Sequence, residues 1–277
     1  MERSPHEDRL EPCRLRVMTY NVHACVGTDR RLDPARIAEV IAAYEPDVVA
    51  LQELDVSRPR SGRSHQCNVI AEFAGMQGHF HPAWRISAEE EYGDAILSRW
   101  PFALKKAAEL PTWNSPLAFE PRGALWITVE KEGRKIQVLN THLGLSRGER
   151  LAQMDALMGP DWLGHADCQT PFLLCGDFND IPPSKAYRKT VPRCREVQRC
   201  LPGHRAKATF PSRWPLIRLD YIFVSPEVNV LRVEVPRTPL TRAASDHLPL
   251  IADITFARDG FTTGSAGRNP AARTLFP

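Results

Sequence analysis

The stretch Leu173-Leu174-Cys175-Gly176-Asp177-Phe178-Asn179-Asp180-Ile181-Pro182, LLCGDFNDIP, places an acid and an amide two residues apart, directly after an apolar run. Phe172–Cys175 reads as a buried strand, with Gly176 as its punctuation. In extended backbone, residues i and i+2 point to the same side. Asp177 and Asn179 can therefore face one site together.

Other apolar runs end the same way. Leu15–Tyr20 runs into Asn21, and Asp47–Leu51 runs into Gln52-Glu53. Ile136–His142 closes on Asn140-Thr141-His142, whose first and third residues share a side. Ser245-Asp246-His247 precedes the run Leu248–Phe256. Further strands are expected at Asp94–Leu97, Ala124–Val129, Leu219–Val224 and Val228–Val235. Converging strand ends would gather Asn21, Glu53, His142, Asp177, Asn179, Asp246 and His247. That set has a chemical logic. A carboxylate such as Glu53 suits Mg²⁺ with several waters retained. Neutral amides hold phosphate oxygens without repelling them. A histidine beside an acid serves as general acid or electrostatic clamp. A second carboxylate can take a proton from an attacking water. These are the parts of metal-assisted phosphoester hydrolysis by in-line attack.

Helices fall between some strands. Asp33-Pro34 reads as an N-cap followed by proline at the first helical position, and Ile37, Val40, Ile41 and Tyr44 form an inward stripe that ends before Pro46. A second helix is expected over 149–158, with Leu151, Met154 and Leu157/Met158 on one face. Strands mixed with few helices point to a layered α/β sandwich. The close spacing of the later strands favours antiparallel hairpins there.

The chain has 277 residues, within the range of one large domain. Residues 1–13 are polar and expected to be a flexible N-terminus; 14–257 form the single domain; 258–277, rich in Gly, Ser, Thr, Pro and Ala, read as a disordered tail. A net charge of +3 is too weak to demand nucleic acid or a membrane as partner. Seven scattered cysteines argue against a disulfide framework, and the absence of any C-x-x-C pair argues against structural zinc. There is neither an apolar signal core near the start nor a run of about 18 apolar residues. The expectation is a cytoplasmic protein with no transmembrane segment and no inferable protein partner.

The segments VMTYNVH, DVVALQELD, GDAILSRWP, NTHLGL, LLCGDFND, RLDYIFVS and SDHLPLIADI occur in the order found in the endonuclease/exonuclease/phosphatase superfamily. It includes DNase I, exonuclease III-like AP endonucleases, neutral sphingomyelinases and inositol polyphosphate 5-phosphatases. The likeness spans roughly residues 14–257 and is nearer the small bacterial branch than dedicated DNA-repair enzymes. It implies a DNase I-like, four-layered α/β sandwich of two packed mixed β-sheets flanked by helices. It also implies roles. Glu53 matches the main Mg²⁺ ligand (Mn²⁺ is also accepted by oxygen ligands), with Asn21 and Asp246 near the metal. Asp177 matches the acid that orients or deprotonates water. Asn179 matches the amide that steadies the transition state. His247 matches the phosphate-binding histidine, and Asp220 resembles the acid that orients it. His142 resembles a second histidine, a candidate acid for the leaving group. Arg122 resembles a phosphate-contacting arginine, and Arg147 and Arg150 could also face an anionic substrate.

Alternative readings exist. Gly144-Leu145-Ser146-Arg147-Gly148 fits G-x-S-x-G between a strand and a helix, as a serine hydrolase elbow would, with Asp220 and His247 following in order. It lacks a preceding H-G-G-G loop and leaves Glu53, Asp177 and Asn179 unexplained. A binding homologue that has lost catalysis is a third class, opposed by the presence of all the key residues. His23, His79 and His81 read as surface or substrate-loop residues, Cys175 as core, and Asp94 as loop support near the site. The expected activity is a Mg²⁺-dependent phosphodiesterase. Its substrate is a phosphate ester, either nucleic acid or a phospholipid or inositol phosphate. The basic loops 58–63 and 192–205 suit either. The Trp- and Pro-rich stretches 111–116 and 210–215 suit a lined pocket or a membrane-facing rim.

Overall fold

The structure is a computed structural model, and it describes residues 12–112, 120–168 and 171–256. Two six-stranded sheets form its centre. The first runs β11(Asn229–Glu234), β12(Leu250–Phe256), β1(Cys13–Asn21), β2(Val48–Val56), β4(Glu91–Ser98), β3(Gln77–Arg85). The second runs β5(Phe102–Glu109), β6(Gly123–Lys131), β7(Arg134–His142), β8(Phe172–Asp177), β10(Asp220–Val224), β9(Arg195–Glu196). Each sheet has one parallel pair near its middle, β1 with β2 and β7 with β8, and antiparallel neighbours elsewhere. Each parallel pair needs a crossover. The first is α1(Pro34–Tyr44) and the second α3(Arg147–Met158); α2(Gln66–Ala74), α4(Lys185–Thr190) and α5(Pro239–Ala244) complete the set.

Strand alternation builds the layers. Leu15, Val17, Val48 and Ala50 of the first sheet meet Ile127, Val138, Leu173 and Ile222 of the second in an inter-sheet core. The opposite faces bury Met18, Val49 and Leu51 against Ile37 and Ile41 of α1, and Leu139, Phe172 and Leu174 against Met154 and Leu157 of α3. Helix, sheet, sheet, helix is the four-layered sandwich expected. The Asp33 side chain caps α1 at Arg36 N–H, with Pro34 at the first position, and α1 stops at Tyr44. Helix α3 starts two residues earlier than expected because Ser146 caps it, accepting from Glu149 N–H. Strands β3 and β5 and helices α4 and α5 lack a legible apolar period and were not anticipated; α2 was not anticipated either, although Cys67, Ile70, Ala71 and Ala74 lie at i, i+3, i+4 and i+7. β1 begins at Cys13, one residue inside the segment expected to be loose; Cys13 is buried and pairs with Phe256. The segment 258–277 lies outside the described residues.

The two sheets are stitched by Asn140, and this corrects the expectation that it faces the site with His142. Asn140 is buried, and its Nδ2 donates to Leu51 O (2.8 Å) and Ala95 O (2.9 Å) of the opposite sheet. Gln52 Nε2 donates back to Asn140 Oδ1 at 2.7 Å. These carbonyls flank a bulge in the β2–β4 ladder, where the register shifts between Leu51 and Leu54. Asn140→Ala would strand two buried carbonyls and the Gln52 amide. It should cost about 2–5 kcal/mol of stability in urea unfolding.

Candidate active site

Strands β1, β2, β7 and β8 end on one edge of the sandwich, and β10 and the approach to β12 begin there. Asn21, Glu53, His142, Asp177, Asp220 and His247 sit on that edge. His142 and Asp220 both pair with Asp177 in register. Backbone at two positions is unusual. Gly176 adopts φ +147°, and a Cβ there would lie 1.9 Å from Thr141 O, so the glycine lets β8 close on β7 just before Asp177. Glu53 adopts φ +64° inside the β2 bulge, and Asn179 φ +47°. Bulges re-aim side chains, and positive φ at non-glycine residues concentrates at functional sites. Asp94, opposite the bulge on β4, is buried close to Glu53.

Asn21 joins the two halves. Its Nδ2 donates to Glu53 Oε1 (2.8 Å) and Asp177 Oδ2 (2.9 Å), while its Oδ1 accepts His23 N–H (3.0 Å). A backbone N–H can only donate, so the amide orientation is determined. Asn21 therefore presents a donor to the site and no ligand oxygen, contrary to the metal role expected. It holds one carboxylate from each sheet side by side.

His247 lies between two acids. Its Nδ1 is 2.8 Å from Asp220 Oδ2, and its Nε2 is 3.7 Å from Asp177 Oδ2. Burial opposes its charge, but Asp220 and Asp177 more than offset this and raise the imidazolium to about 10. Burial pushes the Asp177 carboxyl up, and His247 pulls it back. Burial likewise raises Asp94 to about 7, against the pull of Arg122.

His142 differs from the expected leaving-group acid. It is buried, and burial, then Arg122, then His247 hold its protonation well below the ordinary range. It is a neutral imidazole. Arg122 Nη1 lies 3.1 Å from its Nδ1. A guanidinium only donates, and so does the amide nitrogen of Asn179 on the other side of the ring, whereas a neutral imidazole can accept at only one of its two nitrogens. Nε2 lies 2.9 Å from Asn179 Nδ2, whose amide donates to Leu143 O at 2.9 Å. Nε2 also lies 3.6 Å from Asp177 Oδ2 and 4.0 Å from Glu53 Oε1.

Not every expected residue joins this group. Ligand atoms of Glu53, His142 and Asp177 cluster within 4.8 Å of one another, as do those of Asp177, Asp220 and His247. Asp246 belongs to neither cluster; its carboxylate is partly exposed, 4.0 Å from His23 Nδ1. Arg122 is buried at the site, paired with Glu120 at 3.2 Å. Arg150 is committed elsewhere, donating to Gly144 O and Leu145 O and pairing with Asp180, so it is not free for phosphate. Arg147 is exposed at the start of α3. Ser146 is buried as the α3 cap, which removes the serine-elbow reading.

Glu53 and Asp177, two hard oxygen donors brought together by one amide, fit a divalent cation such as Mg²⁺ or Mn²⁺. Sequence reasoning placed Asp94 near the site as a support, and missed the supporting roles of Gln52 and Asn140. The signal was present in each as a polar residue inside an otherwise apolar strand.

Because His247 is raised above the ordinary histidine value of 6.5, its charge contributes stability that is fully present below about pH 6.5 and is lost as pH rises toward 10. Asp220→Asn removes the main support of that charge. NMR titration should show His247 moving down toward the ordinary range. The variant's urea stability should fall less between neutral pH and about pH 10 than that of wild type.

Comparison with known proteins agrees with this geometry. The family model described as Endonuclease/Exonuclease/phosphatase family matches residues 18–247. The uncharacterized protein YbhP of Escherichia coli K12 is 28% identical over 270 residues, covering 89% of this chain and 98% of that one. An endonuclease/exonuclease/phosphatase structure from Beutenbergia cavernae superposes with a TM-score of 0.70 at 26% identity, covering 88% of this chain and 72% of that one. The human Nocturnin catalytic domain, solved with a bound sulfate anion, gives a TM-score of 0.66 at 25% identity, covering 90% of this chain and 99% of that one. The chain belongs to the endonuclease/exonuclease/phosphatase family, whose members are hydrolases acting on phosphoesters.

Proposed function

We propose that this protein is a divalent-metal-dependent phosphodiesterase, with Mg²⁺ or Mn²⁺ held by Glu53 and Asp177. The observation that carries the reading is the pair of carboxylates, one from each sheet, bridged by Asn21 beside a buried imidazolium. A bound cation supplies Lewis-acid polarisation of the phosphoryl oxygen.

The chain's own residues account for the rest. Asp177 takes the proton of the attacking water, its carboxylate oriented by the Asn21 amide and the Asn179 N–H. The water oxygen bonds to phosphorus, the opposite P–O bond breaks, and the departing alkoxide takes a proton. His247, kept charged by Asp220, neutralises a non-bridging oxygen or supplies that proton. Asn179 and Arg122 donate to the phosphoryl oxygens. Arg122 and His247 give the site two fixed positive charges, which favours an anionic diester.

The test is hydrolysis of bis-p-nitrophenyl phosphate with Mg²⁺ and with EDTA. Wild type should be active only with metal, and Glu53→Ala and Asp177→Ala should each lose about 10²–10⁴-fold in kcat/KM. Activity that survives EDTA and both substitutions would sink the reading, and a wild type that binds substrate without turnover would favour the non-catalytic homologue.

A further inference from the structure

The loops leading away from the site carry apolar side chains into solvent. Trp214 is 78% exposed, Leu216 80%, Leu145 52% and Ile181 52%, and Ile217 is also exposed. These are five of the ten large exposed hydrophobics among the described residues. Leu145 lies three residues after His142, Ile181 two after Asn179, and Trp214 and Leu216 in the turn that leads to Asp220.

Two side chains tie the loops together. Arg150 donates to Leu145 O and pairs with Asp180, the neighbour of Ile181. Tyr221 Oη donates to Asp180 O (3.0 Å) or Arg218 O (2.9 Å), the latter beside Ile217. The third loop is braced rather than loose. Phe210 bridges Ile217, its ring lies 4.8 Å from that of His247, Ser212 Oγ bonds Ser245 O, and Arg213 bonds Thr28 O. The apolar residues thus flank one side of the site on a rigid base.

Each protrusion has an exposed base nearby: Arg147 beside Leu145, Lys185 beyond Ile181, and Arg213 beside Trp214. The neighbouring acids Asp180 and Glu120 are already paired with Arg150 and Arg122. A side chain four-fifths exposed has no counter-wall in the protein, so a small ligand gains little from it. A bilayer surrounds such a side chain. Tryptophan and leucine flanked by bases match the boundary of an anionic leaflet.

We propose that this apolar crescent docks on an anionic phospholipid surface and brings the site onto a headgroup phosphodiester. The substrate half rests on the phosphodiesterase reading; the docking half does not. The experiment is co-sedimentation with vesicles of phosphatidylcholine, with and without phosphatidylglycerol, for wild type and for Trp214→Ala/Leu216→Ala. Release of water-soluble phosphate from the same vesicles is measured in parallel.

Wild type should bind the anionic vesicles, more weakly as salt rises. The double variant should bind roughly tenfold more weakly or worse, with unchanged thermal unfolding and unchanged hydrolysis of bis-p-nitrophenyl phosphate. Wild type that stays in solution overturns the proposal, as does a variant that binds equally or a preference for duplex DNA over vesicles. Equal binding to neutral vesicles overturns the charged component. Vesicle binding without phosphate release, while the soluble diester is cleaved, overturns the headgroup as substrate. Failure on the soluble diester as well would instead count against the phosphodiesterase reading.

Discussion

The amide of Asn140 is the constraint on which the site depends. A β-bulge frees carbonyls, and buried carbonyls must find donors. Asn140 reaches across from the other sheet to supply two. The bulge can then persist in a dry interior, and the positive φ of Glu53 persists with it. The Glu53 carboxylate is aimed by polar groups buried beneath it.

The electrostatics follow the same division. Each sheet contributes one acid to the central pair, and Asn21 holds the two at hydrogen-bonding range. Around them the charges are graded by burial. His142 is kept neutral by its surroundings and Arg122, while His247 is kept charged by Asp220 and Asp177. Two histidines a few ångströms from the same carboxylate are thus pushed toward opposite protonation states.

Much of this was legible in the sequence. Apolar runs ending in Asn21, Glu53, His142, Asp177 and before His247 were read as strand ends, and their convergence followed from a layered sandwich. What was not legible was atomic. Which end of the Asn21 amide faces inward depends on the His23 N–H, a backbone contact no pattern reports. The i, i+2 rule put Asn140 in the site beside His142, but the sheet behind it claimed the amide first. Arg150 looked available because its partners, two carbonyls and Asp180, come from the fold rather than from neighbouring charges. Strands β3 and β5 carry polar and small residues on partly exposed faces, so alternation was weak there.

The pairing of Cys13 with Phe256 has an architectural consequence. Strand β1 runs from Cys13 toward Asn21, and β12 runs away from His247 toward Phe256. The first and last residues of the sandwich are therefore neighbours at the pole opposite the strand ends that hold the carboxylates. In a circular permutant, Cys13 and Phe256 could be joined by a short linker that leaves the edge holding Glu53 and Asp177 untouched.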